Sequence, residues 1–170
     1  MNPLVKVLVP LTAIIVILVR CERRPALKPI LGLATPQAAP LLMWVCISIA
    51  YMLGTDWMMH WRGPWDWTPW QQSPLTHSIL RVLAVAILGP MAEELVCRGF
   101  LQTQLSRYLH TALAITIVSV AWAFAHLDYS IAIRTMFFGF GLLLGIARLK
   151  TNSVWTPIAM HIVWNTYAIW

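Results

Sequence analysis

The stretch Ile87-Leu-Gly-Pro-Met-Ala-Glu-Glu-Leu-Val-Cys-Arg-Gly-Phe-Leu101 carries two adjacent carboxylates, Glu93 and Glu94, inside an apolar run, with Arg98 close behind them. An ionised side chain near the centre of a bilayer costs roughly 2.5–3.5 kcal/mol on insertion scales, so such groups face a polar cavity or one another. On a helix Glu94 and Arg98 are i and i+4 and share a face, which permits a local ion pair. Glu93 lies about 100° further round and is left free by that pairing.

Composition places the stretch in a membrane. Hydrophobic residues make up 59% of the 170, charged residues 11%, and mean hydropathy is +0.71, outside the range of ordinary soluble domains. The expectation is an all-α, polytopic transmembrane bundle of about six membrane helices. The apolar segments run approximately over Leu4–Val19, Ala38–Leu53, Ile79–Val96, Ala112–Ala125, Ile131–Ala147 and Val154–Trp170. Several are short for a span of about 20 residues, so tilt or polar ends are required. Residues 1–78 supply N-terminal helices and a tryptophan-rich loop, and residues 79–170 the core, within one integral bundle. The first segment reads as an uncleaved span, because Arg20 precedes Cys21 and no small-x-small site follows.

The net charge of +6 does not indicate nucleic acid, since the twelve Lys and Arg residues lie between apolar segments and form no patch. They set orientation instead. With Arg20, Arg23, Arg24, Lys28, Arg98, Arg107, Arg148 and Lys150 inside and Lys6, Arg62, Arg81 and Arg134 outside, both termini lie outside the cytoplasm of a multi-pass protein of the plasma (inner) membrane. Cys21, Cys46 and Cys97 follow no metal or disulfide spacing. Cys97 reads as core filler, with nothing in its surroundings to activate a thiol.

Between the second and third segments, Thr55–Ser78 holds Trp57, Trp61, Trp65, Trp67 and Trp70 among prolines. Tryptophan favours the headgroup zone, so this loop lies along the bilayer surface; a lid over a membrane-embedded substrate is the second reading. His60 and His77 read as surface histidines.

Further polar residues sit deep in apolar sequence. His126 closes the fourth segment, and His161 and Asn165, four apart, share a face of the sixth. If the third and fourth helices turn near Leu109 and His110, Glu93 and His126 each lie sixteen residues from the turn. At about 1.5 Å per residue both stand about 24 Å from it, at one depth. Two carboxylates, two histidines and an amide on three spans thus converge on a shared polar site. Asp128 reads as a solvated loop acid, with orientation of the His126 imidazole as its second reading. Elsewhere Gly141-Leu-Leu-Leu-Gly145, extended by Gly139, is a small-xxx-small face for close internal packing, or less readily for homodimerisation. Gly89-Pro90 is positioned to bend the third helix and open room for water.

The order Glu-Glu-x-x-x-Arg (Glu93, Glu94, Arg98), then x-x-x-His ending at His126, then His-x-x-x-Asn (His161, Asn165) resembles the CAAX protease and bacteriocin-processing (Abi) family of intramembrane proteases, over roughly Ile79–Trp170. The resemblance implies Glu93 as general base on water, Glu94 and Arg98 as a supporting pair, and His126, His161 and Asn165 as further site residues. Two departures bear on pocket shape and substrate choice: Trp122 stands where Phe is common, and Cys97 where an aromatic residue often precedes the arginine.

Peptide hydrolysis needs a base for water, a group for the oxyanion and an acid for the leaving amine. Glu93 suits the first role. His161 and Asn165 could donate to the oxyanion, or His126, His161 and a glutamate could bind zinc. The expected function is an intramembrane endopeptidase acting on a membrane-embedded or membrane-associated peptide or protein. The alternatives are a catalytically silent immunity or scaffold partner and, third, a proton or ion pathway. The substrate and the oligomeric state are not readable from these residues.

Overall fold

The computed structural model describes residues 3–64 and 66–169; Trp65 of the tryptophan-rich loop and Trp170 at the end of the sixth apolar segment lie outside the described residues. Within these the chain is an all-helical bundle without strands. Its elements are α1 (Pro3–Arg23), α2 (Leu27–Leu31), α3 (Ala38–Met59), α4 (Thr68–Gln71), a continuous helical run α5 (residues 75–105), α6 (Thr111–Phe124), α7 (Ile131–Thr151) and α8 (Trp155–Ala168).

The expected six membrane helices resolve into unequal elements. Among the described residues, Leu4–Arg23, Ala38–Met59 and Ile131–Thr151 are long and apolar enough to cross a bilayer. Helices α6 and α8 have 14 residues each. They rise about 21 Å, short of the roughly 30 Å of a hydrocarbon core. Their place is the middle of the bundle. Trp122 and Ala123 of α6 and Met160 and Trp164 of α8 form one core with Trp44 and Met52 of α3 and Met136, Phe137, Phe140 and Leu144 of α7. Helix α1 instead turns Leu8, Ile15 and Val16 outward, an apolar face suited to lipid.

Glycine in α7 permits α6 to approach closely. A Cβ at Gly141 would stand 3.0 Å from the Ser119 Cβ, and one at Gly145 2.6 Å from the Ile115 Cγ2, both on α6. The two carbonyls are used as well: Arg98 Nη2 donates to Gly141 O at 3.4 Å and Gln102 Nε2 to Gly145 O at 3.0 Å. The small-residue stripe is therefore spent on packing inside the chain.

Helix α5 departs from a plain α-helix in two places. Residues Val82–Leu88 and Leu95–Leu101 are π-helical, flanking the short α-helical segment Gly89–Glu94. The local sequence accounts for the first. The Gly89 N–H reaches back five residues to Ala84 O, a Cβ at Gly89 would lie 2.9 Å from that oxygen, and Pro90 has no N–H to offer Val85 O. The Val85 carbonyl is satisfied from outside the helix, by Asn165 Nδ2 at 2.8 Å. Gly89-Pro90 thus unwinds the helix by one residue without ending it. Such π turns are common at functional sites, and this pair brackets both glutamates.

The chain reverses between α5 and α6 at residues 106–110, as the depth argument requires, and the His110 imidazole accepts the Ala112 N–H at 3.4 Å to cap α6. The α7–α8 turn is locked from below by the segment after α2: Val154 N donates to Gly32 O at 2.8 Å, Ser153 Oγ to Ala34 O at 2.6 Å and Trp155 Nε1 to Leu33 O at 3.1 Å.

Candidate active site

Glu94 and Arg98 are both fully buried and pair as their spacing predicts, Arg98 Nη1 donating to Glu94 Oε1 at 3.0 Å. The same oxygen receives His161 Nδ1 from α8 at 2.8 Å. A carboxylate beside a guanidinium accepts, so the His161 proton sits on Nδ1 and Nε2 is left for another partner. Arg98 also lies over the Trp122 ring, with its Cζ 4.8 Å from the centroid. Through Arg98 and His161, Glu94 Oε1 ties α5 to α8, and Arg98 Nη2 reaches on to Gly141 O of α7, while Glu94 Oε2 is buried without a hydrogen-bond partner among the described residues. Leaving either charge alone there would be costly.

Glu93 has a different environment. It is half-buried, and its Oε2 accepts the Trp122 indole N–H at 2.6 Å. The expectation that it stands free is therefore corrected: the turn of helix that carries it away from Arg98 carries it toward α6. One carboxylate oxygen, Oε2, is held by this bond.

His126, one turn beyond Trp122, places its Nδ1 2.8 Å from the Trp122 carbonyl oxygen. A carbonyl only accepts, so this ring also carries its proton on Nδ1 and presents Nε2. The orienting group is thus the Trp122 carbonyl in the last turn of α6, just before His126, and not Asp128, which is exposed. His60 and His77 are exposed as expected, and Cys97 is half-buried against the core.

Glu93, Trp122, His126, His161 and Asn165 line one cavity of about 780 Å³, which extends to Trp61 and Arg62 of the tryptophan-rich loop and to Lys6, Val9 and Pro10 of α1. That volume is in the range of ligand-binding clefts. Glu94 and Arg98 stand behind its wall. The loop reaches inward in part: Trp61 stacks on Trp164 with centroids 5.3 Å apart, while Trp57 is exposed. Asn165 and His161 face the same space, but one Asn165 amide hydrogen is already spent on Val85 O, leaving the second for the cavity.

The residue that sequence reading undervalued is Trp122. It bonds Glu93, lies under Arg98, and sets its ring edge-on to His126 at 5.0 Å and His161 at 5.4 Å. The signal was available in its type, because indole is an aromatic side chain with a hydrogen-bond donor.

The imidazoles have the arrangement of zinc ligands in one respect, each donating Nδ1–H and offering Nε2. Among the described residues no three His, Cys, Asp or Glu side chains come together to hold an ion. Glu94 Oε1 is taken by Arg98 and His161, and Glu93 Oε2 by Trp122.

Residues 75–167, from the start of α5 almost to the end of α8, match the family described as type II CAAX prenyl endopeptidase Rce1-like. The chain belongs to this Rce1-like family. The match contains Glu93, Trp122, His126, His161 and Asn165 of the cavity, and the resemblance carried by the three motifs holds. A further relative of the Rce1-like chain is the membrane-embedded CAAX protease MroQ of Staphylococcus aureus (strain USA300), 28% identical over 94 residues. That alignment covers 52% of this chain and 37% of MroQ, so the chain spans well under two thirds of the relative's length. No solved structure matches. The apolar helices and the Rce1-like assignment together make the chain an integral membrane protein.

Proposed function

We propose that this protein is a multi-pass endopeptidase of the plasma membrane that hydrolyses a peptide bond of a membrane-associated protein or peptide, with Glu93 as general base. The observation that carries this reading is the division between two adjacent carboxylates: Glu94 is paired in the core with Arg98 and bonded by His161, while Glu93 lies on the cavity wall with one oxygen bonded. Two carboxylates with opposed environments are the usual mark of divided chemical and structural roles.

In this scheme Glu93 takes a proton from water as the oxygen attacks the scissile carbonyl, and returns it to the amine as the C–N bond breaks. In the same scheme Nε2 of His161 and of His126, as donors when protonated, and the second Asn165 amide hydrogen meet the oxyanion. Glu94 and Arg98 hold His161 in place. The family name and MroQ support a membrane-embedded peptide substrate.

The test is cleavage of a membrane-peptide library by purified protein, wild type against Glu93→Gln, repeated after chelation and zinc add-back. Cleavage lost in a folded Glu93→Gln variant supports the proposal, and undiminished cleavage overturns it. A zinc-dependent recovery of chelated wild type would bring His126 and His161 in as ligands. A folded wild type that cleaves nothing across a broad library would favour the immunity or scaffold role.

A further inference from the structure

The contacts of Trp122 go beyond packing. Its ring sits 6.0 Å from Phe137 and 6.4 Å from Phe140, contacts that a phenylalanine would also make. The 2.6 Å bond from its Nε1–H to Glu93 Oε2 is one that phenylalanine has no atom to make. The same residue supplies the carbonyl that orients His126. Trp122 is buried, so its indole is held by neighbours on α7 and α8 and cannot follow Glu93 if the carboxylate rotates. A donor that is fixed while its acceptor has several rotamers selects one of them.

We propose that Trp122 is a positioning residue: its indole N–H fixes the Glu93 carboxylate by Oε2 and so aims the other oxygen at the hydrolytic water. Indole is suited to this because it donates and does not accept, and its N–H is far too weak an acid to compete for the proton that Glu93 must take and return. A Lys or His at the same place would donate too, but would add a charge or exchange the proton. The other ionisable groups near Glu93 are Glu94 and Arg98, which pair behind it, Cys97 on its own helix, His126 and Tyr129 just past the end of α6, His161 on α8, and Lys6, Arg62 and Arg81, which line the cavity as well. The inference rests on the role proposed for Glu93, and its test separates the two.

The decisive variant replaces Trp122 by 3-benzothienylalanine, which keeps the bicyclic outline and substitutes sulfur for N–H; Trp122→Phe accompanies it. The expected result is a kcat lower by roughly 10- to 100-fold, the scale of a lost bond to a charged group, with KM and thermal stability near wild type. In a Glu93→Gln background the same replacement is expected to add no further loss, since the two act as a unit. An indole N–H resonance, assigned by its loss in Trp122→Phe, should move in Glu93→Ala. A benzothienyl variant with wild-type kcat overturns the inference, and so does one that melts early, because the N–H would then serve the fold. If Glu93→Gln itself remains active, the role of Glu93 falls instead.

Discussion

Glu94 and His161, 67 positions apart in the chain, meet through a 2.8 Å bond between Oε1 and Nδ1, on the same oxygen that receives Arg98. This shared oxygen ties the helix of the glutamates to the last helix of the bundle, and it makes the two neighbouring glutamates unequal in what their loss costs.

The first prediction concerns that inequality. Glu94→Gln leaves the Arg98 guanidinium buried without its counter-ion and is expected to cost about 3–5 kcal/mol. Glu93→Gln keeps an acceptor for Trp122 on the cavity wall and is expected to cost about 1 kcal/mol or less. Thermal unfolding in detergent should therefore show a large fall for the first variant and a small one for the second. Equal melting temperatures would sink the division of roles between them.

A second prediction follows from the Val85 carbonyl. With Pro90 unable to donate, Asn165 is its partner at 2.8 Å, so Asn165→Ala should lower stability by about 1–2 kcal/mol. Pro90→Ala returns a backbone N–H five residues after Val85. In that background the cost of Asn165→Ala is expected to shrink, a coupling that a double-mutant cycle reads directly. A cost unchanged by Pro90→Ala would show that Asn165 acts elsewhere.

Packing across α6 and α7 supplies the third. A Cβ at Gly145 would stand 2.6 Å from the Ile115 Cγ2 and 3.1 Å from the Gln102 Oε1. Gly145→Ala is expected to destabilise by about 1–3 kcal/mol, and Ile115→Ala to recover part of that loss by making room. Two losses that simply add would argue against this contact.

The fourth tests the lock beneath the α7–α8 turn. Gly32 has φ +69°, and a Cβ there would overlap the Arg148 guanidinium, whose Nη2 donates to Ile30 O at 3.4 Å. Gly32→Ala should cost about 1 kcal/mol for the backbone conformation alone, and more for the displaced arginine. Arg148→Met should relieve the second part only, so the double variant is expected to melt between Gly32→Ala and wild type.

Much of the bundle was legible in the chain. The membrane setting, the all-helical class, the reversal near His110 and the Glu94–Arg98 pair follow from hydropathy and from i, i+4 spacing, which are local properties. The internal use of Gly141 and Gly145 was legible in kind, though not which helix would fill the gap. The π turns around Glu93 and Glu94 were not legible as such: Gly89-Pro90 marks a disturbance, but whether a helix kinks, ends or unwinds there depends on who satisfies the freed carbonyl, and that partner, Asn165, comes from α8.

The sequence by itself determined that charged residues would be gathered inside an apolar bundle, because each is too costly to leave facing lipid alone. Only the tertiary structure decided which glutamate is buried and which lines the cavity. Spacing along one helix says that Glu93 and Glu94 point about 100° apart. It cannot say that His161 waits on one side and Trp122 on the other, since those partners are set by how α6 and α8 dock.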